Sequence, residues 1–126
     1  MKKVLITGKD SYIGISLEQW LMREPDNYKV DTVDMKDESW KEKDFSEYDT
    51  VFHVAGIVHK KEQLDMKELY DKVNRELPIE VAKKAKKAGV SQFIFMSTMA
   101  VYGEEGKIGQ EIVISPKTPV NPKTFY

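Results

Sequence analysis

The apolar residues of this 126-residue chain are concentrated in four short runs, and the spacing within each run predicts a β-strand. Residues 4–6, 50–56 and 91–98 are almost continuously apolar, as is typical of strands buried on both faces of a parallel sheet. Residues 28–34 alternate between apolar and polar positions and end in an acid. The first three runs therefore predict central strands, and the fourth a neighbour in the same sheet.

Two of the segments between these runs have the spacing of a helix. In the first, apolar residues recur at positions 13, 17, 20 and 21, and Pro25 with the polar residues after it ends the helix. In the second, residues 64–87, the predicted core-facing stripe consists of Leu64, Leu69, Val73, Leu77, Val81 and Ala85. Pro78 should bend this segment or divide it into two helices, and Gly89 should cap its end. Strands that alternate with helices predict an α/β protein.

The turn after the first strand has the composition of a phosphate-binding loop. Gly8 follows Thr7 directly and lets the chain turn sharply, because it has no Cβ that would restrict φ. Gly14 allows the next helix to pack closely on the strand, and the N-terminus of that helix offers N–H groups to a pyrophosphate. Ser11 stands where a second glycine would complete the nucleotide-binding fingerprint. An ordinary strand-turn-helix unit remains the alternative.

Asp34 ends the second strand and lies twenty residues after Gly14. In a dinucleotide-binding fold, an acid at this position accepts hydrogen bonds from the adenosine ribose and repels a 2′-phosphate, which favours NAD over NADP. The alternative is an acid in a loop that is crowded with acids, since Asp37 and Glu38 follow.

Motifs along the whole chain resemble those of the NAD-dependent epimerase/dehydratase family, the extended short-chain dehydrogenases/reductases that include the UDP-glucose/galactose 4-epimerases. Residues 7–17 are similar to Thr-Gly-x-x-Gly-Phe/Tyr-Ile-Gly-x-x-Leu and depart from it at Ser11. Residues 53–56 are similar to His-x-Ala-Ala/Gly, and residues 97–103 resemble Ser-Ser/Thr-x-x-Val-Tyr-Gly. The resemblance implies a Rossmann-like, doubly wound parallel sheet in the order 3-2-1-4-5, with helices on both faces, and a homodimer.

The resemblance also implies that the chain binds NAD. The cofactor-binding residues that it implies are Thr7, Gly8, Ser11, Tyr12, Ile13, Gly14, Asp34, Asp44, Phe45, Val54, Ala55, Gly56, Asn74 and Ser97. Asp44 and Phe45 match a pair that contacts the adenine, and the alternative for them is a solvated acid beside a packed aromatic. Asn74 matches an asparagine near the nicotinamide, and the alternative is a helix-surface residue. The surrounding residues 35–47 should form an exposed loop or short helix.

Two residues match catalytic positions of the family. Thr98 matches the catalytic Ser/Thr, whose hydroxyl bonds the substrate oxygen that undergoes redox, and the alternative is a plain polar pair with Ser97. Tyr126 matches the tyrosine that takes the proton from a sugar hydroxyl while C4 gives hydride to NAD. Met99 and Ala100 stand where the dehydratases have an Asp-Glu pair, which disfavours 4,6-dehydration.

Residues 1–126 are thus expected to be a partial NAD-binding domain, either a fragment or an evolutionary truncation. The family's lysine four residues after the tyrosine, its remaining strands and its substrate domain are not in this sequence. We expect the chain to be inactive alone and to expose a hydrophobic sheet edge that promotes self-association or low stability. The parent activity implied is C4 epimerisation of a nucleotide sugar through a keto intermediate. A dinucleotide-binding module without chemistry and a nucleotide-sugar reductase are the alternatives.

Composition narrows the choice of partners. The net charge of −1 gives no reason to expect nucleic acid or an anionic membrane surface. No apolar run approaches the ~20 residues of a membrane helix, and the absence of cysteine fits a cytoplasmic protein. His53 and His59 do not suggest a metal site. His53, in a buried strand, is predicted to be a hydrogen-bonded structural residue.

Overall fold

The computed structural model describes residues 1–56, 66–103 and 109–123, apart from the side chain of Met99. The strands are β1 (Lys2–Thr7), β2 (Tyr28–Val33), β3 (Thr50–His53) and β4 (Gln92–Phe95). The helical elements are α1 (Tyr12–Leu21), a 3₁₀ turn (Ser39–Glu42), α2 (Lys67–Tyr70), a π-helical segment (Asp71–Glu76), α3 (Leu77–Lys87) and a second 3₁₀ turn (Met99–Tyr102). None of these described helices has the length and apolar character needed to cross a bilayer. The predicted alternation of strands and helices is confirmed.

The four strands form one parallel sheet in the order β2-β1-β3-β4. Leu5 lies opposite Val51, and Val51 lies opposite Phe93, so their side chains share one face of the sheet. The step from β1 to β2 and the step from β3 to β4 run in opposite directions across the sheet. Right-handed crossovers therefore put α1 and α3 on opposite faces. This is the predicted Rossmann-like arrangement.

Residues 35–48 form no strand, so the third strand of the predicted order 3-2-1-4-5 does not occur in the described residues. The strands labelled β3 and β4 here correspond to the fourth and fifth strands of that order. The three large aromatic residues of segment 35–48 are instead buried beside α3: Trp40, Phe45 and Tyr48 are at most 4% exposed. These aromatics are five and three residues apart, which does not match the two-residue period of a strand. The segment therefore covers the core as a loop with one helical turn.

Two polar contacts hold this loop in place. Lys84 donates from Nζ to the carbonyl oxygen of Lys41 at 2.8 Å, which ties the 3₁₀ turn to α3. Tyr48 donates its hydroxyl to Asp31 at 2.7 Å. Burial, together with this hydrogen bond, raises the pKa of Tyr48 above its ordinary value, so its hydroxyl remains a donor.

The π-helical segment explains why the stripe predicted for residues 64–87 is only partly correct. Val81 and Ala85 are buried as predicted, but Leu69 is 44% exposed and Tyr70 takes the buried position. A π turn contains more residues than an α turn, so the buried face shifts by one residue across it. Pro78 lies two residues after the end of this segment, in the first turn of α3, where a missing N–H is tolerated. Leu64 lies outside the described residues.

The stripe predicted on α1 is also only partly correct. Leu17 and Leu21 are half-buried, whereas Trp20 is 64% exposed and its ring is covered by the guanidinium of Arg23 at 4.6 Å. Gly14 is the residue of α1 that is buried. The first turn of α1 therefore packs closely on the sheet, and the end of the helix lies at the surface.

β4 forms one edge of the sheet, and its end is hydrophobic and exposed. Phe95 is 48% exposed and Met96, which follows it, is 41% exposed. The hydrophobic sheet edge expected at this end of the chain stays a prediction, because Phe95 and Met96 line a cleft at the carboxyl ends of the strands. Self-association through it stays a prediction.

Candidate functional site

The turn between β1 and α1 brings backbone atoms unusually close together. Gly8 has φ +128°, and a Cβ on it would lie 2.9 Å from Val54 Cγ2 and 3.0 Å from the Ala55 nitrogen. A Cβ on Gly14 would lie 2.9 Å from the Gly8 carbonyl oxygen. All three distances are shorter than van der Waals contact, so neither position accommodates a side chain. The sharp turn and close helix packing predicted for these glycines are confirmed.

Ser11 caps the N-terminus of α1. Its Oγ accepts a hydrogen bond from the Gly14 N–H at 3.0 Å, and its own N–H donates to the Gly8 carbonyl oxygen. The hydroxyl therefore satisfies one of the N–H groups that a helix end leaves unpaired. Its hydrogen can be donated to an anion, in addition to the remaining N–H groups at this end.

Two open clefts meet above the carboxyl ends of the strands. The larger has a volume of about 620 Å³ and the smaller one of about 400 Å³. Both are lined by Asp10, Ser11, Ala55 and Gly56, so they form one continuous groove. Ligands of open parallel sheets bind at this edge.

Most of the predicted site residues line this groove. Those in the larger cleft are Ser11, Tyr12, Ile13, Val54, Ala55, Gly56, Asn74, Ser97 and Thr98. Gly8 and Asp34 line the smaller cleft. Thr7 is fully buried at the end of β1, beneath the groove. Residues from five separate segments of the sequence thus meet at one edge of the sheet.

Asn74 faces the groove from the π-helical segment. A Cβ on Gly56 would lie 3.1 Å from Asn74 Oδ1, so the amide sits directly beside the end of β3. Pro78, four residues later, has no N–H to donate to the Asn74 carbonyl. The helix is therefore irregular at this point. The Asn74 side chain faces the groove and not the outer surface of the helix.

Thr98 is half-buried in the larger cleft, at the start of the second 3₁₀ turn. Its Oγ1 accepts from the Ala100 N–H at 3.2 Å, which leaves the hydroxyl hydrogen available for a ligand. The Asn121 N–H donates to the Val101 carbonyl at 2.8 Å and holds residues 109–123 against this turn. Tyr126, the predicted catalytic tyrosine, lies outside the described residues.

Asp44 and Phe45 are not brought to the groove. Phe45 is 1% exposed in the core, beneath the ammonium of Lys84. Asp44 is exposed and accepts from the N–H and hydroxyl of Ser46, and these hydrogen bonds lower the pKa of its carboxyl. This arrangement is the alternative given for the pair, a solvated acid beside a packed aromatic. We leave both residues out of the binding site.

Several residues that line the smaller cleft were not predicted from the sequence. Lys9, Asp10, Met35 and Lys36 flank the predicted glycine turn and Asp34. Their position in the sequence could have identified them, because each lies next to residues that were predicted to contact the ligand. Residues adjacent to a ligand-binding turn commonly line the same cleft. Val73 and Leu77 complete its apolar wall.

His53 is fully buried below the groove and has the structural role predicted for it. Its Nδ1 and the Thr7 hydroxyl form a hydrogen bond of 2.6 Å, and its ring stacks on Phe93 and Phe95. Nε2 has no hydrogen-bond partner in the described part of the chain. Burial lowers the pKa of His53 from 6.5 to about 4, so the ring is neutral at pH 7.

Lowering the pH should lower the free energy of unfolding, because His53 takes up a proton more readily in the unfolded chain than in the folded protein. Above pH 6.5 the ring is neutral in both states, whereas between pH 6.5 and about 4 only the unfolded chain binds the proton. The free energy of unfolding should therefore fall by about 3 kcal/mol over this interval. Urea unfolding at pH 7, 6, 5 and 4 measures the loss, and His53→Gln should lack this part of it. The same pH dependence in both proteins would contradict the prediction.

No cluster of three or more His, Asp or Glu side chains suited to a metal ion occurs in the described ranges. The larger cleft is instead lined mostly by apolar residues, with hydroxyls and the Asn74 amide among them, and the charged residues of the groove are Lys9, Asp10, Asp34 and Lys36. A mostly apolar lining with a few polar groups suits an organic ligand.

The sequence profile of the NAD-dependent epimerase/dehydratase family matches residues 4–126. No curated protein matches the sequence. Solved structures similar in fold include the UDP-Glc/GlcNAc 4-epimerase of Campylobacter jejuni, with a TM-score of 0.78 and 22% identity over 100% of this chain and 45% of that one. The UDP-glucuronic acid 4-epimerase of Bacillus cereus in complex with NAD has a TM-score of 0.74 and 21% identity, over 98% of this chain and 47% of that one.

A dTDP-4-dehydrorhamnose reductase from Clostridium acetobutylicum is also similar, with a TM-score of 0.76 and 22% identity over 98% of this chain and 44% of that one. At such identities these structures share the fold with this chain. The chain spans less than half the length of each of the three.

Proposed function

Because the chain belongs to the NAD-dependent epimerase/dehydratase family, we propose that it is the NAD-binding part of a nucleotide-sugar epimerase that inverts the sugar at C4. The observation that supports this function most directly is the composition of the groove. The glycine turn, Asp34 and Thr98 all line it, so the proposed cofactor-binding and reactive groups would share one ligand site.

The residues of the groove fit a dinucleotide. The N–H groups and hydroxyl at the start of α1 would receive the pyrophosphate, and Asp34 would bind the adenosine ribose. Ala55 and Gly56 present a flat backbone surface beside Asn74, which suits a planar ring. When bound, NAD supplies the acceptor and donor of a hydride.

Tyr126 is proposed to transfer the proton, and Thr98 is proposed to stabilise the charge that develops on the sugar oxygen. The Thr98 hydroxyl would donate a hydrogen bond to the sugar oxygen as charge develops on it. Tyr126, by its match to the family motif, would remove the hydroxyl proton and return it. Phe95, Met96 and Val101 line the same cleft and would keep water from the reacting atoms.

The nucleotide sugar, the homodimer and a cytoplasmic location are also proposals. The two epimerases of similar fold are named for UDP-sugars, which supports that class of substrate. Reduction of a nucleotide sugar is the second candidate, because a dTDP-4-dehydrorhamnose reductase shares the fold equally well.

A product assay separates these functions. The full-length protein, loaded with NAD, is incubated with UDP-glucose or UDP-N-acetylglucosamine, and products are identified by chromatography while absorbance at the NADH wavelength is followed. An epimerase yields the C4 epimer without net change in NADH, because hydride is returned. In a second incubation, with NADH and a nucleotide-linked 4-keto sugar, a reductase consumes NADH in proportion to the reduced product. NAD binding without conversion of any sugar would indicate a binding module and contradict the proposal.

A further inference from the structure

The 3₁₀ turn that Thr98 begins ends in a glycine with a left-handed backbone. Gly103 directly follows this turn and has φ +64°. Its N–H donates to the Ala100 carbonyl at 3.1 Å, and the Ala100 N–H donates to Thr98 Oγ1. A glycine adopts this conformation without strain, because it has no Cβ. Thr98 and Gly103 are therefore the two ends of one hydrogen-bonded turn.

Residues 109–123 pack directly on this glycine. A Cβ on Gly103 would overlap the Asn121 carbonyl oxygen, and it would lie 3.3 Å from Lys123 Cγ. The Asn121 N–H also donates to the Val101 carbonyl at 2.8 Å. The N–H and the carbonyl of one residue thus both contact the turn. Such a close approach of two backbone segments requires that position 103 has no side chain.

This contact joins the chain segments of the two proposed reactive residues. Thr98 lies five residues before Gly103 and lines the larger cleft. Tyr126 lies five residues after Asn121 in the sequence, and five residues of extended chain span at most about 18 Å. The contact at Gly103 therefore limits the positions that Tyr126 can take relative to Thr98.

We propose that Gly103 is a positioning residue, which keeps Thr98 and Tyr126 at the separation that the reaction needs. The inference rests on the proposed function, because the roles of both groups come from it. Gly103 lines neither cleft and carries no reactive group. A displacement of about 1 Å between reacting groups can lower a rate about 10²-fold. A side chain at position 103 should therefore slow the reaction although every reactive group is still present.

Gly103→Ala in the full-length protein tests the inference. We expect kcat for UDP-glucose or UDP-N-acetylglucosamine to fall about 30-fold or more, whereas KM and the dissociation constant of NAD change less than about threefold. A loss confined to kcat indicates misplaced reactive groups, because general damage to the fold would weaken binding as well.

Gly109→Ala is the matched control. Gly109 lies in the same segment as Asn121 and also has a positive φ, +83°, but a Cβ there would meet no atom within 4 Å. Its substitution adds similar backbone strain without the overlap, so kcat should stay within about twofold of the unaltered protein. A second variant, Asn121→Pro, removes the N–H that binds the Val101 carbonyl and adds no atom at position 103. It should lower kcat about tenfold with NAD binding retained.

The other outcomes have definite meanings. An unchanged kcat in Gly103→Ala, or an equal loss in Gly109→Ala, would overturn the inference and leave the proposed function intact. Loss of NAD binding in both Gly103→Ala and Asn121→Pro would also overturn it, because the contact would then serve the stability of the fold. If the unaltered full-length protein binds NAD but converts no sugar, the proposed function fails, and the inference fails with it.

Discussion

Replacing Thr98 with valine is expected to lower the kcat of the full-length protein by about 10²–10³ while NAD affinity stays unchanged. Valine has nearly the same shape but cannot donate a hydrogen bond to the sugar oxygen. The lost interaction forms mainly as charge develops on that oxygen, so kcat should fall and KM should change little. Initial rates of sugar conversion, with NAD affinity measured in parallel, test this.

Two further variants distinguish a loss of catalysis from a loss of local structure. Thr98 also caps the 3₁₀ turn through the Ala100 N–H, and Thr98→Ser keeps both the cap and the donor. It should therefore retain most activity. Thr32→Val applies the same change in β2, away from both clefts, and should behave as the unaltered protein. Full activity in Thr98→Val would mean that Thr98 is the plain polar residue of the alternative interpretation.

Gly8→Ala is expected to lower the free energy of unfolding by about 4 kcal/mol. Two effects combine at this position. With φ at +128°, an alanine would be strained, and its Cβ would lie 3.0 Å from the Ala55 nitrogen, a backbone atom of the neighbouring strand end that cannot move freely. Urea unfolding at neutral pH measures the loss, which is a large part of the stability of a typical domain.

Gly89→Ala is the matched control for this prediction. Gly89 also has a positive φ, +82°, but a Cβ there would meet no atom within 4 Å. Its substitution should therefore cost only the conformational strain, about 1 kcal/mol. Gly8→Ala and Gly89→Ala could instead lower the free energy of unfolding by the same amount. Glycine at position 8 would then not be required by close packing between the glycine turn and the end of β3.

Much of the groove could be predicted from sequence. Gly8, Gly14 and Asp34 were identified from their place at the end of a strand or the start of a helix, and Thr98 from its match to the family motif. The carboxyl ends of parallel strands meet at one edge, which brings these segments together. Asp44 and Phe45 show the limit of this approach. The similarity of this pair to the family motif gives no information on the direction in which the loop turns. In the structure, Phe45 is buried in the core.

The sequence by itself determined the strand-helix alternation, the glycine turn and the set of polar residues at strand ends, because these follow from local periodicity and backbone sterics. Only the tertiary structure decided that residues 35–48 cover the core without a strand and that the π-helical segment buries Tyr70 in place of Leu69. It alone placed Lys9, on the turn between β1 and α1, in the same cleft as Asp34. These features depend on contacts between distant segments, which no local pattern encodes.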